Sequence, residues 1–189
     1  LAVDVGLLAV DISRAMLNET ALRTLGAGLA GNTTLQRLTV REVPLNVQLL
    51  RTAADIKLHD AALDYDDCIV AAKLLSSNTS VRALAVREVP LDVQLLRTAA
   101  EIELHDAALG DGECIVVAEL CSRNLQLTSV NFGGCGKLTD IGVTALAQVC
   151  TQLTIVNFCN CDKLTDTGVT AVAQACTQLT SIDFTRCYK

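Results

Sequence analysis

Tryptophan is absent from these 189 residues; histidine and proline occur twice each, methionine once, and aromatic residues make up only 3%. A chain with so few large rings cannot fill a core around aromatic anchors, yet 51% of it is apolar. That combination fits an interior of Leu, Val and Ala packed in regular layers. No run reaches the roughly 18 apolar residues of a membrane span. Positive charge is not in excess. The formal net charge is −6 and the pI near 4.8, which argues against nucleic acid or an anionic membrane as partner. No glycine-rich phosphate loop and no nucleophile motif occurs, so no catalytic or cofactor-binding residue is expected.

What is there is repetition. Residues 35–80 and 81–126 align without a gap at an offset of 46, with 29 of 46 positions identical. The run Val40-Arg41-Glu42-Val43-Pro44-Leu45 returns as Val86-Arg87-Glu88-Val89-Pro90-Leu91, and Leu58-His59-Asp60 returns as Leu104-His105-Asp106. A finer apolar pattern, L-x-x-L-x-L, opens at Leu7, Leu35, Ala53, Val81, Ala99, Leu127, Leu153 and Leu179. Its successive steps are 28, 18, 28, 18, 28, 26 and 26, so short and long units alternate before the long ones take over. The alternating core of the pattern predicts a short strand with one buried face. The second half of each long unit has helical spacing: Leu22, Leu25, Leu29; Cys68, Ala71, Ala72, Leu75; Val143, Leu146, Ala147, Cys150. The short units have room for a turn or two of helix, and Pro44 and Pro90 suit its first position.

These motifs resemble the leucine-rich repeat family over nearly the whole chain. Units opening at Leu7, Ala53 and Ala99 are similar to the ribonuclease-inhibitor type, with an acidic or small turn after a Leu and a helix ending in Asn32, Asn78 or Asn124. Units opening at Leu127 and Leu153 resemble the cysteine-containing type of F-box substrate adaptors, with C-x-x-L-T-D-x-G-V at Cys135 to Val143 and Cys161 to Val169. In the first five units Ala15, Val43, Ala61, Val89 and Ala107 stand where the family carries Asn or Cys. The resemblance implies an α/β fold over residues 1–189 as a single domain: a curved horseshoe solenoid of about seven repeats plus a partial one. Its eight strands would form one parallel sheet, roughly 35–40 Å along its concave face, with helices on the convex face and antiparallel pairing excluded. Neither end shows a polar capping unit, which solenoids require. The chain therefore reads as a fragment of a longer protein, its uncapped ends open to end-to-end self-association.

Of the nine cysteines seven recur with the repeat, Cys135, Cys161 and Cys187 at 26, Cys150 and Cys176 also at 26, and Cys68 and Cys114 at 46. They read as small core residues. Cys159-x-Cys161 has no second pair, so no metal site is expected. Reduced thiols point to the cytoplasm or nucleus.

Across the repeats one strand column reads Asp11, Thr39, Lys57, Ala85, Glu103, Asn131, Asn157, Asp183. The next carries Arg41, His59, Arg87 and His105, flanked by Glu42, Asp60, Glu88 and Asp106. Strands lie about 4.8 Å apart, so histidines two strands apart stand too far apart for one metal. Lys57, Arg41, Glu42, His59, Asp60, Arg87, Glu88, Glu103, His105 and Asp106 are the expected partner-binding residues of the concave face, the basic column drawing an acidic patch of a protein partner. The alternative reading is a set of mutually paired surface charges worth roughly 0–1 kcal/mol each. The function expected is protein binding. The resemblance also implies two alternatives, the substrate-recognition part of a ubiquitin-ligase adaptor or a fragment of an immune-type receptor.

Overall fold

The computed structural model describes residues 8–41, 43–58 and 63–187. They fall into two compact units, Leu1–Arg87 and Glu88–Lys189.

In the first unit β1 (Ala9–Asp11) leads through α1 (Glu19–Ala30) to β2 (Arg37–Thr39), β3 (Pro44–Asn46), α2 (Val47–Thr52), β4 (Asp55–Leu58), α3 (Tyr65–Ser76) and β5 (Ala83–Val86). The helices start where side chains satisfy their free N–H groups. Asn18 Oδ1 accepts from the Ala21 N–H at 2.9 Å ahead of α1. Asp64 and Asp67 form a reciprocal box at α3, with the Asp67 N–H on Asp64 Oδ1 at 2.9 Å and the Asp64 N–H on Asp67 Oδ2 at 3.2 Å. α1 packs on α3, and α2 packs on α3, β2 and β3.

The second unit runs β6 (Val89–Asp92), α4 (Val93–Thr98), β7 (Glu101–Glu103), α5 (Asp111–Cys121), β8 (Ser129–Asn131), α6 (Asp140–Val149), β9 (Ile155–Asn157), α7 (Asp166–Ala175) and β10 (Ser181–Asp183). β7 to β10 form one parallel sheet, in the order β10-β9-β8-β7. α4 packs on α5, α5 on α6 and α6 on α7. Thr139 and Thr165 cap α6 and α7, and the preceding helix start reaches over to them. Asp111 Oδ1 accepts from the N–H groups of Thr139 (2.9 Å) and Gly142 (3.0 Å), and Asp140 Oδ1 does the same for Thr165 (2.9 Å) and Gly168 (3.0 Å). A Cβ on Gly142 or Gly168 would sit 2.7 or 2.5 Å from that carboxylate oxygen. This close approach is the physical content of T-D-x-G: the Asp serves the next helix, and the Gly makes room for it.

The horseshoe with a single parallel sheet does not form. The strands divide among three sheets, two of three strands and one of four. The long steps do become parallel pairs. Ala9 lies opposite Arg37, Asp55 opposite Ala83 and Glu101 opposite Ser129, and further along Ser129 lies opposite Ile155 and Ile155 opposite Ser181. The short step behaves differently. After β2 the chain turns back at once, and β3 pairs antiparallel with β2, Leu38 opposite Leu45 and Thr39 opposite Pro44. β1 occupies one edge of β2 and β3 the other, so no edge is left for β4, which opens a new sheet. Antiparallel pairing, excluded in the sequence reading, is what interrupts the parallel array. The prolines move with it. Pro44 and Pro90 lie in β3 and β6, and the helices begin at Val47 and Val93 behind the caps Asn46 and Asp92. Exposed at the first position of β3, Pro44 has no N–H to lose from the ladder.

Buried asparagines bind the layers. Asn78, at the end of α3, is 0% exposed. Its amide donates to the carbonyls of Leu50 (3.1 Å) and Ala53 (2.9 Å) at the end of α2. Its Oδ1 accepts from the N–H groups of Ser80 (2.8 Å) and Val81 (3.0 Å). In the second unit Asn124 donates likewise to Leu96 and Ala99.

Candidate functional site

The arginines expected to face a partner are used within the fold. Arg41 follows β2, and its Nε donates to Asp66 Oδ2 at 2.7 Å, with Nη2 on the same oxygen. Its backbone N–H reaches Asp67 Oδ1 at 3.3 Å. The hydrogen bond to Asp66, reinforced by that carboxylate's charge, raises the Arg41 pKa. Arg87, at a left-handed φ of 52°, donates through Nη2 to the carbonyl of Leu63. Both arginines thus converge on residues 63–66, where α3 begins. The Asp67 carboxyl of the same start is buried, and desolvation pushes its pKa up to about 6 against the hydrogen bonds that hold it down.

Lys57 is exposed on β4 between buried Ile56 and Leu58. Glu88 is exposed ahead of β6. Glu103 and His105 are both exposed, with His105 Nδ1 3.7 Å from Glu103 Oε2. Asp106, at φ 54°, donates its backbone N–H to the Gly133 carbonyl at 2.7 Å. Glu42, His59 and Asp60 lie outside the described residues. Arg41, Lys57 and Arg87 therefore belong to one unit, and Glu88, Glu103, His105 and Asp106 to the other.

A register-aligned polar surface lies on the four-stranded sheet. One face is core: Ile102, Val130 and Val156 are buried in register, with Phe132 and Phe158 behind them in an edge-on contact of 5.8 Å. The opposite face carries two register-aligned rows, all exposed or half-buried: Glu101, Ser129, Ile155, Ser181, and Glu103, Asn131, Asn157, Asp183. In the second row each short polar side chain bonds the turn after its own strand. Asn131 Oδ1 accepts from the Gly133 N–H (3.1 Å), Asn157 Oδ1 from Cys159 (2.9 Å) and Asp183 Oδ1 from Thr185 (2.8 Å). Those bonds fix the amides, and Asn131 Nδ2 donates sideways to Glu103 Oε2 at 2.7 Å. The Thr185 N–H also holds the Asp183 carboxyl below its usual pKa, so it stays ionised. The row reads carboxylate, amide, amide, carboxylate. Of these four only Glu103 is among the partner-binding residues expected from the sequence. Asn131, Asn157 and Asp183 stand in the same sequence column, but its charges are of mixed sign, whereas the Arg-His column beside it is basic throughout its charged positions.

The thiols support this sheet from behind. Cys135 Sγ donates to the Leu104 carbonyl (3.4 Å), Cys161 to Phe132 (3.2 Å) and Cys187 to Phe158 (3.2 Å). Burial pushes Cys135 up to about 11 and Cys161 up to about 12. Among the described residues no group of three or more His, Cys, Asp or Glu is placed to hold a metal ion, and no helix is long and apolar enough to cross a membrane. No protein-family model matches the chain, and no curated protein matches it.

Proposed function

We propose that the chain is a protein-binding module whose binding face is the solvent side of the four-stranded sheet. One observation carries this reading: a wholly parallel sheet with one face open. Parallel sheets are ordinarily covered on both faces. Here the open face holds a rigid, register-aligned row, Glu103–Asn131–Asn157–Asp183. Carboxylates at the ends and amides between them suit a protein segment rich in Lys, Arg or side-chain amides. They do not suit the acidic patch that the arginine column would draw, because Arg41 and Arg87 are bound within the fold. Charge on such a row acts chiefly on association rate and specificity. A reducing compartment, cytoplasm or nucleus, is the proposed setting. Its support is the set of buried or half-buried cysteine thiols serving as donors to backbone carbonyls.

Quantitative capture from a cell extract tests the reading. The double variant Asn131→Lys/Asn157→Lys should lose a subset of the proteins held by the parent chain, while Thr170→Lys on the exposed side of α7 keeps them. An identical captured set for all three would remove the sheet face from consideration.

A further inference from the structure

The second unit has an open strand edge in the middle of the chain. β7 pairs with β8 on one side. Among the described residues no strand pairs with it on the other, although β6 and α4 precede it in the same unit. The bonds to β8 fix which backbone groups remain. The Ala100 carbonyl accepts from the Thr128 and Ser129 N–H groups at 2.8 and 3.1 Å, and the Leu104 N–H donates to the Asn131 carbonyl at 2.9 Å. Residues of a strand alternate in the edge they address, so Ile102 between them also faces β8. The N–H and carbonyl groups of Glu101 and Glu103 therefore point to the open edge. Both side chains are exposed on the solvent face, and Glu103 is held there by the Asn131 amide at 2.7 Å. The repeat supplies a comparison. β4 is bonded in the same way, its Ala54 carbonyl accepting from Arg82 and Ala83 and its Leu58 carbonyl from Arg87, and it too pairs on one side only. There the outward residues are Asp55 and Lys57, of opposite charge. Of the two edges only that of β7 presents two carboxylates.

We propose that β7 receives an added strand: an extended segment of a partner protein with Lys or Arg at two positions separated by one residue. Strand addition draws its affinity from main-chain bonds and its specificity from alternate side chains. In an extended segment two such cations stand about 6.6 Å apart on one face, the spacing of Glu101 and Glu103. The residue between them falls on the side of buried Ile102, which favours an apolar side chain. The added strand satisfies both N–H groups and both carbonyls of the edge. The same carboxylates exclude a second copy of this chain. Two β7 edges paired together would gather four of them, and like charges directly opposite are unfavourable. Charge thus repels self-pairing and selects a basic strand. The proposal rests on the protein-binding reading and deepens it, since the added strand continues the sheet beside Glu103 and Asn131.

The probe is a short capped peptide of alternating Lys and Val, labelled for fluorescence anisotropy and titrated with the intact chain. The strand is three residues long, so the Kd is expected on the order of 100 µM at low salt. Glu101→Gln/Glu103→Gln should weaken binding by at least about tenfold. Asp162→Asn/Asp166→Asn, the same change of net charge at exposed positions elsewhere in the unit, should leave it unchanged. Methylation of the peptide nitrogens separates strand addition from plain charge attraction. Methylating one alternate set, all Lys or all Val, should abolish binding, and methylating the other set should preserve it. Which set matters reports whether the strand runs parallel or antiparallel to β7. Circular dichroism of both protein variants should match the parent, since these side chains are exposed. Equal effects of the two methylated sets, no binding by the parent chain at about 1 mM peptide, or an equal loss in the Asp162/Asp166 variant would each overturn the proposal. Those outcomes remove the added strand alone; the sheet face itself is judged by the capture experiment with Asn131→Lys/Asn157→Lys.

Discussion

Replacing Asn78 with Ala should destabilise the first unit by about 2–4 kcal/mol, a cost that follows from counting the groups it strands. α2 has six residues and cannot satisfy its own last carbonyls. Asn78 does so from the end of α3, donating to Leu50 and Ala53 while accepting from Ser80 and Val81. Truncation leaves four backbone groups without a partner. Ala53 is half-buried and Ser80 exposed, so water can reach two of them. The Leu50 carbonyl and the Val81 N–H belong to residues 1% and 0% exposed, and each unsatisfied buried group costs about 1–3 kcal/mol. Asn32 is the internal control. It is half-buried, and its side-chain Oδ1 accepts from Thr34 and Leu35 of its own turn, so Asn32→Ala should cost about 1 kcal/mol. Asn78→Asp tests the mechanism further. It keeps the shape but sets a buried carboxylate against two carbonyls, so at pH 7 it should be less stable than Asn78→Ala, the gap closing on acidification. Urea unfolding followed by circular dichroism measures all three variants. A cost for Asn78→Ala no greater than that for Asn32→Ala, or an Asp variant more stable than the Ala variant at pH 7, would refute the bracing role.

Gly142→Ala should cost about 1–3 kcal/mol, because its Cβ would stand 2.7 Å from Asp111 Oδ1 and 2.6 Å from Leu138 Cδ1. The penalty should shrink in the double variant with Asp111→Ala, as a thermal double-mutant cycle would show. Asp67 titrates in the folded state near 6 against 3.8 for a free carboxyl. A raised folded pKa means that its stabilising contribution is complete below about pH 3.8 and is lost as pH rises through about 6. Asp67→Asn should therefore abolish that part of the pH dependence, read from urea midpoints between pH 4 and 7, and leave the slope unchanged only if the assignment is wrong. In the native protein half-exposed Cys159 should react with a thiol reagent before Cys135 and Cys161, whose thiols are buried and titrate near 11 and 12; equal rates in a timed titration would contradict that order.

Charge is a poor guide to the candidate site, for a reason visible at Arg41. In the sequence, Arg41 and Arg87 form a column with His59 and His105, and a column of like charge reads as a binding stripe. What a column cannot show is a partner far downstream. Asp66 lies in another part of the repeat, and the acidic start of α3 is what Arg41 binds. The capping signals are legible by contrast, because a cap acts within a few residues of its own helix start. Thr139 and Thr165 fall at helix starts from T-D-x-G alone. The second bond made by Asp111 and Asp140, reaching to the next helix, needs the three-dimensional register.

The same distinction explains the fold. A repeat period states that equivalent residues recur; it does not state that recurring strands are neighbours. The long steps hold a strand, a helix of ten to twelve residues and two connections, enough chain for a right-handed crossover that returns to the same sheet edge. The short step is not spent in that way. Its V-R-E-V-P-L segment has buried Val40 and Leu45 on either side of a tight turn, and the nearest place to bury Leu45 is against Leu38, one strand back. Once β3 has closed that edge, local pairing has displaced the long-range pairing that a continuous sheet would require. The apolar alternation is plain in both copies of the segment; what it leaves undetermined is whether each apolar pair belongs to a helix, a parallel strand or a hairpin. In this chain the short step is a hairpin followed by six residues of helix, and it sets where one sheet ends and the next begins.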